Sequence, residues 1–236
     1  MAFPPQDLTC PHPAGCPVLE TLPEVPGVLL SAGKLQFRCY DVTRGYDEFN
    51  PGYGDSRFAP FDSLSAGSPV PALYLANNEI GALLETVFHE VHQQSDRHIY
   101  EKDLRQHAIA HLLIPTNLWL ADLRDEALQR LGIRREQVVS TASEHYPCTR
   151  RLARELHGRS IDGRAVAGVL WHSRQAELLQ RSGPSEVCVV FGDVYGNHRG
   201  DWTLTGPGAR NLYEGPGRLL ADELANELVA TVHPIE

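Results

Sequence analysis

The sequence predicts an α+β fold, and three observations carry that expectation. Seventeen prolines and twenty glycines in 236 residues demand many turns, more than a helical bundle uses. Stretches such as EVCVVF at 186–191 have the continuous apolar character of strands in the centre of a sheet. Residues 80–91 instead repeat their apolar side chains every three or four positions, the period of a helix packed on a core.

Residues 1–33 are rich in Pro and Gly around a short apolar GVLL and read as an extended arm or weakly structured lead-in. With neither an internal repeat nor a clean linker, 34–236 is expected to be a single domain. KLQFRCYDV, beginning at Lys34, alternates as a strand does: Leu35, Phe37, Cys39 and Asp41 share one face, Arg38 and Tyr40 the other. In RGYDEFNPGYGDS, 44–56, Pro51-Gly52 and Gly54-Asp55 permit tight turns within an irregular connector. PALYLA, from Pro71 to Ala76, is a short strand. The helix that follows aligns Ile80, Leu83, Leu84, Val87, Phe88 and Val91, with Asn77 or Asn78 as its cap and Glu79 in its first turn.

Residues 98–115 are ambiguous, with HAIAHLLIP ending as a strand stopped by Pro115. NLWLADL reads as extended and DEALQRLGI as a short helix closed by Gly132. TRRLARELHG at 149–158 is a helix with Gly158 just past its end. AVAGVLWHS is a strand, the polar RQAELLQRSGP follows, and EVCVVF comes next. The remainder is rich in turns until LLADELANELVATV, which reads as a closing helix.

A net charge of -9 argues against non-specific nucleic-acid binding, which needs a positive footprint. It leaves room for an anionic small molecule, whose pocket needs only local positive charge. Lysine occurs only at 34 and 102, so the positive charge is nearly all arginine. Arginine suits bidentate phosphate contacts, although genomic base composition explains the bias equally well. No run reaches the eighteen apolar residues of a membrane span, and MAFPPQDLTC lacks the parts of a signal peptide, so a cytoplasmic location with no membrane contact is expected. The five cysteines are odd in number and form no C-x-x-C pair, which suggests neither a disulfide framework nor a four-thiolate zinc site. Cys10 and Cys16, loosely spaced among prolines, read as part of a disordered or surface arm rather than as metal ligands.

Several residues invite chemistry. Glu85 lies beyond the edge of the apolar stripe, on the same side as His89 and His92. That side is either a solvated flank or the wall of a cleft shared with Tyr74. Glu85, His89 and His92, with a second pair at His107 and His111, have spacings that a metal could use. FHEVH is not H-E-x-x-H, however, and no metal is expected. Arg57 follows a Gly-Asp-Ser turn, so backbone N–H groups and a guanidinium could receive an anion together, with Arg38 as a second clamp. Either arginine could equally pair with one of the thirty carboxylates. Tyr74 is a core aromatic or a stacking surface for a planar ring. Ser173 has no G-x-S-x-G elbow and His172 points the other way, so its hydroxyl suits orienting a ligand or a carboxylate. Neither G-x-G-x-x-G after a strand nor G-K-[ST] occurs.

In order, FRCYD, YGDSRFAP, ALYLA, EIGALLETVFHE and AGVLWHSR followed by CVVF resemble the RES-domain family, named for an arginine, a glutamate and a serine. The resemblance covers 34–191 and leaves the first 33 residues and the tail after 192 poorly covered. It implies an ADP-ribosyltransferase-like fold of split, twisted antiparallel β-sheets with peripheral helices around an NAD cleft. It also implies a toxin of a toxin–antitoxin pair that cleaves the nicotinamide–ribose bond of NAD+. On this likeness the protein is an NAD+ phosphorylase forming ADP-ribose-1″-phosphate, with water or a protein as alternative acceptors. By the same likeness Arg38 and Arg57 are the family's arginines, Tyr74 its aromatic, Glu85 its glutamate and Ser173 its serine. Trp171 stands where many relatives carry tyrosine. Arg57, Glu85, Tyr74 and Ser173 would then be catalytic, and Arg38, Arg57, Tyr74 and Ser173 would bind substrate. No cofactor is retained; NAD+ and inorganic phosphate are substrates, and a cognate Xre-like antitoxin is the implied partner. Homo-oligomerisation stays open, as do a metal-dependent hydrolase and a non-catalytic NAD-binding or interaction module.

Overall fold

The computed structural model describes residues 6–91, 94–179, 184–195 and 200–235, and the α+β expectation holds in them. The chain runs through β1 (Gly27–Leu30), β2 (Leu35–Asp41), β3 (Ala72–Ala76), α1 (Glu79–Leu84), β4 (His98–Tyr100), α2 (Glu101–Arg105), β5 (His107–Leu113), β6 (Leu118–Asp122) and α3 (Asp125–Arg130). It continues through α4 (Tyr146–His157), β7 (Ser160–Ile161), β8 (Arg164–Ala165), β9 (Gly168–His172), β10 (Glu186–Phe191), α5 (Gly192–Tyr195), β11 (Thr203–Asn211), α6 (Gly215–Glu227) and β12 (Thr231–His233).

Eight strands form the main sheet in the order β1-β6-β9-β10-β3-β2-β5-β11, and β12-β4 and β7-β8 form two small ones. Helices lie around the periphery. The main sheet is mixed rather than wholly antiparallel, because β6 and β9 run parallel. A parallel pair needs a long crossover, and α3 and α4 lie in the chain between these two strands. The central position expected for EVCVVF is observed: β10 pairs with β3 on one side and β9 on the other. Its side chains alternate between two buried clusters, Val187, Val189 and Phe191 in one, Cys188 and Val190 in the other.

The join between β2 and β3 matters most for the site. Phe37 opposite Ala76 is their one paired position, whereas β2 follows β5 from Leu35↔Leu113 to Asp41↔His107. Beyond that single pair the sheet is open, and the backbone groups of β2 and β3 diverge around a gap.

Several elements differ from the sequence reading. The described part of the lead-in is packed on the domain: GVLL is β1, paired with β6, and Leu8, Val18, Leu22 and Val25 are buried in the cluster that holds Leu152 and Leu156 of α4. The helix expected over 80–91 stops at Leu84. From there Thr86 turns its hydroxyl back to the carbonyl of Ala82, and tight turns link Thr86 to Leu83 and His89 to Thr86. The β-branched pair Thr86-Val87 disfavours another helical turn, yet Phe88 and Val91 still reach the core. Asn78 is the cap, its side chain accepting from the N–H of Gly81 at 2.7 Å.

The ambiguous stretch resolves into β4, α2 and β5. α4 starts at Tyr146, three residues before the helix read from the sequence, with Pro147 in its first turn where a missing N–H does no harm. The closing helix is α6, ending at Glu227, after which the chain reverses through Val229 at φ 54° into β12. β11 is missing from the sequence reading because its glycines and proline hide a strand that bulges between Leu204 and Ala209 at the sheet edge. Among the described residues, no helix is long and apolar enough to cross a membrane.

Candidate active site

The gap between β2 and β3 opens into a cavity of about 480 Å³. Arg38 reaches it from β2, Tyr74 from β3, Arg57 from the connector before β3, Glu85 from the end of α1, Tyr146 from α4 and Trp171 from β9. Four of the five residues singled out in the sequence therefore line one hollow, and the fifth, Ser173, stands behind Glu85.

Glu85 caps the C-terminus of α1, at φ −89° and ψ 3°, with its N–H bonded to the carbonyl of Gly81. Ending the helix here turns the carboxylate off the helical wheel and into the cavity. Ser173 is fully buried, and its hydroxyl donates to Glu85 Oε1 at 2.5 Å. The Ser173 hydroxyl oxygen accepts the N–H of Ala176 at 3.2 Å, so its one proton is aimed at the carboxylate. The backbone of Ser173 is anchored in turn, its N–H donating to the carbonyl of Ser185 at 2.8 Å. The carboxylate is thus oriented by a residue 88 positions away.

Arg57 is held by one edge. Its Nη1 donates to the carbonyl of Thr141 at 3.1 Å and to Thr141 Oγ1 at 2.7 Å, and its guanidinium lies 5.0 Å from the ring centre of Tyr146. Burial lowers its pKa, opposed by the fields of Tyr146 and Glu85. Arg38 is more fully engaged: Nη1 donates to the carbonyl of Tyr46 at 2.5 Å and Nη2 to that of Glu48 at 2.7 Å. These bonds shape the connector that carries Arg57. Burial pushes the Arg38 pKa down to about 10, which leaves it charged near neutrality.

Tyr74 has its phenol spoken for. It accepts the N–H of Phe58 at 3.2 Å and shares a 2.8 Å hydrogen bond with Ser56, whose own hydroxyl donates to the carbonyl of Ala59. The Ser56 proton being so placed, the phenol is the donor to Ser56. Tyr74 thereby holds the turn that presents Arg57, while its ring meets Trp171 edge-on at 6.2 Å. Burial pushes its pKa up to about 12, so it stays neutral.

Of the histidine sets weighed in the sequence, none comes together as a metal site among the described residues. His89 lines the cavity but pairs with Glu90 at 2.6 Å, and His92 lies outside the described residues. His107 and His111 sit on a strand, where four residues span about 13 Å. They have separate partners, His107 the carbonyl of Asp103 and His111 the carboxylate of Glu79. His172 points away from Ser173, towards Asp125 at 3.2 Å. Cys10 and Cys16, read as a surface arm, instead lie beside His145 and Cys148. Sequence reasoning missed Tyr146 and Thr141. The visible signal was Tyr146-Pro147 as a helix start, but their contact with Arg57 is purely tertiary.

A family model described as the RES domain matches residues 35–198. The chain belongs to the RES-domain family. No curated protein and no solved structure gives a match. The matched part of this RES domain contains Arg38, Arg57, Tyr74, Glu85 and Ser173, and it excludes the N-terminal arm, β11 and α6. Membership supports a toxin-type, NAD-related enzymatic activity in general. The site itself offers a carboxylate fixed by a buried hydroxyl, two arginines and aromatic walls. That set suits stabilising positive charge on a substrate that also carries anionic groups.

Proposed function

We propose that the protein degrades NAD+ by breaking the bond between nicotinamide and ribose, with inorganic phosphate as the acceptor. The observation that carries this reading is the Ser173–Glu85 hydrogen bond, at the wall of a cavity that also receives Arg38 and Arg57. Nicotinamide departs neutral with the bonding electron pair, and the ribose develops oxocarbenium-like charge, as in glycoside chemistry. The Glu85 carboxylate would hydrogen-bond the ribose hydroxyls and stabilise that charge. Because Ser173 already fixes it, little reorganisation accompanies the reaction. A phosphate oxygen then bonds to the anomeric carbon, giving ADP-ribose-1″-phosphate and nicotinamide.

The two arginines divide the anionic work. The hydrogen bonds of Arg57 run through Nη1 alone, whereas both terminal nitrogens of Arg38 are committed to carbonyls. Arg57 is therefore assigned the direct phosphate contact, and Arg38 the positive potential and the shape of the connector. Trp171 and Tyr74 form an aromatic wall against which the nicotinamide ring would rest. Uncontrolled NAD+ loss is lethal, so a toxin of this kind requires a cognate inhibitor, an Xre-like antitoxin covering the cleft.

Incubation of the purified protein with NAD+, with and without phosphate, tests the reading when the products are resolved by mass. Phosphate-dependent ADP-ribose-1″-phosphate is expected. Free ADP-ribose formed equally without phosphate would make the enzyme a glycohydrolase, and label retained on protein would make it an ADP-ribosyltransferase. Intact NAD+ would overturn the enzymatic reading.

A further inference from the structure

Cys10, Cys16, His145 and Cys148 each point one potential ligand atom into a common space, and these four atoms all lie within 4.8 Å of one another. Local structure makes the arrangement. A 3-10 turn at Pro13–Gly15 folds the arm back so that Cys16 returns to Cys10. His145 ends another such turn, and Cys148 lies three residues on, in the first turn of α4. The arm thus contributes two ligands and the helix entrance the other two.

The measured spacings fit a tetrahedral ion. Zinc–sulfur bonds of about 2.3 Å and zinc–nitrogen bonds of about 2.0–2.1 Å put two sulfurs about 3.8 Å apart and a sulfur and a nitrogen about 3.6 Å apart. Cys16 Sγ lies 3.6 Å from Cys148 Sγ and 3.7 Å from His145 Nδ1, and all of the cysteines are free. His145 is buried, and its other nitrogen faces Glu144 Oε1 at 3.5 Å. A carboxylate behind the imidazole is the usual support for a histidine that ligates metal, because it fixes the ring and directs the free lone pair inward.

We propose that Cys10, Cys16, His145 and Cys148 form a structural zinc site that staples the N-terminal arm to the start of α4. Four protein ligands close the coordination sphere, so the ion has no open position for substrate. Its effect is on architecture. Tyr146, lying between two of the ligands in the chain, stacks on Arg57, and Thr149 donates to the carbonyl of Arg57. The zinc therefore fixes the helix end against which that arginine rests. The arm lies outside the matched family region, so two of the four ligands come from beyond residues 35–198. This assignment needs no assumption about the reaction.

Metal analysis of the purified, reduced full-length protein tests it. Roughly one zinc per chain is expected, falling to background in Cys10→Ser and Cys16→Ser, whose circular dichroism should keep the features of the core. The wild-type protein alone gives a second readout that requires no variant. Replacing zinc by cobalt(II) should produce thiolate-to-metal charge transfer and the strong visible bands of a tetrahedral site. Chelation should also make Cys10 and Cys16 open to alkylation. Wild-type protein that takes up no zinc after reduction and zinc addition would overturn the proposal. So would a cobalt spectrum without thiolate bands, or full zinc content in both serine variants.

Discussion

Glu85 takes its orientation from Ser173, and substitution can separate the two contributions. Glu85→Gln keeps the shape and a hydrogen-bond partner for Ser173 but removes the negative charge that would face the ribose. Turnover of NAD+ should fall by about 10²–10⁴-fold with the fold intact, measured as nicotinamide release. Ser173→Ala keeps the charge and frees its direction. A loss of about 10²-fold in kcat is expected, with KM for NAD+ little changed, because the carboxylate then samples unproductive positions. Equal losses in binding and turnover would instead mark Ser173 as a substrate contact. Periodicity alone left Glu85 on the flank of a helix, and nothing local linked it to a serine 88 positions on. The ordered resemblance supplied that link. Thr141 and Tyr146 stayed hidden because the feature that distinguishes them, contact with Arg57, exists only after folding.

At the scale of elements, strands with clean alternation or a continuous apolar run were legible, and β2, β3, β9 and β10 lie where the sequence puts them. Legibility failed where chemistry and topology compete. The stripe over 80–91 is a true burial pattern, but the backbone delivers Phe88 and Val91 to the core through turns rather than a helix. β11 fails the pattern because it bulges and borders the sheet. Close approach between strands offers a sharper test. A Cβ added at Gly168 would lie 2.0 Å from the carbonyl oxygen of Val189, a group fixed in the middle of the sheet. Gly168→Ala should therefore destabilise the protein by about 1–3 kcal/mol or more, read as a lower urea midpoint. β9 leads directly into Ser173, so surviving folded protein should also turn over NAD+ more slowly. An unchanged midpoint would mean that β9 and β10 are not so closely paired.

The main sheet has two segments that meet at one residue pair, Phe37 and Ala76, with the cavity where they part. Arg38 comes from one segment, Tyr74 from the other, and Glu85 and Arg57 from the chain that bridges them. A dinucleotide lying in the cavity would contact both segments, and so would bind the native state while having no comparable site in the unfolded chain. Such a ligand stabilises by mass action, about 2.7 kcal/mol at a hundred times its Kd. For a chain of this size each kcal/mol corresponds to about 2–4 °C. Glu85→Gln is the right protein for the measurement, because it should hold NAD+ without consuming it during a thermal scan. Its Tm should rise by roughly 5–10 °C in saturating NAD+. Arg57→Ala in the same background should lose most of that rise, since the guanidinium assigned to the phosphate is gone. An equal shift in both variants would place the dinucleotide elsewhere, and no shift in Glu85→Gln would leave the cavity without its proposed ligand.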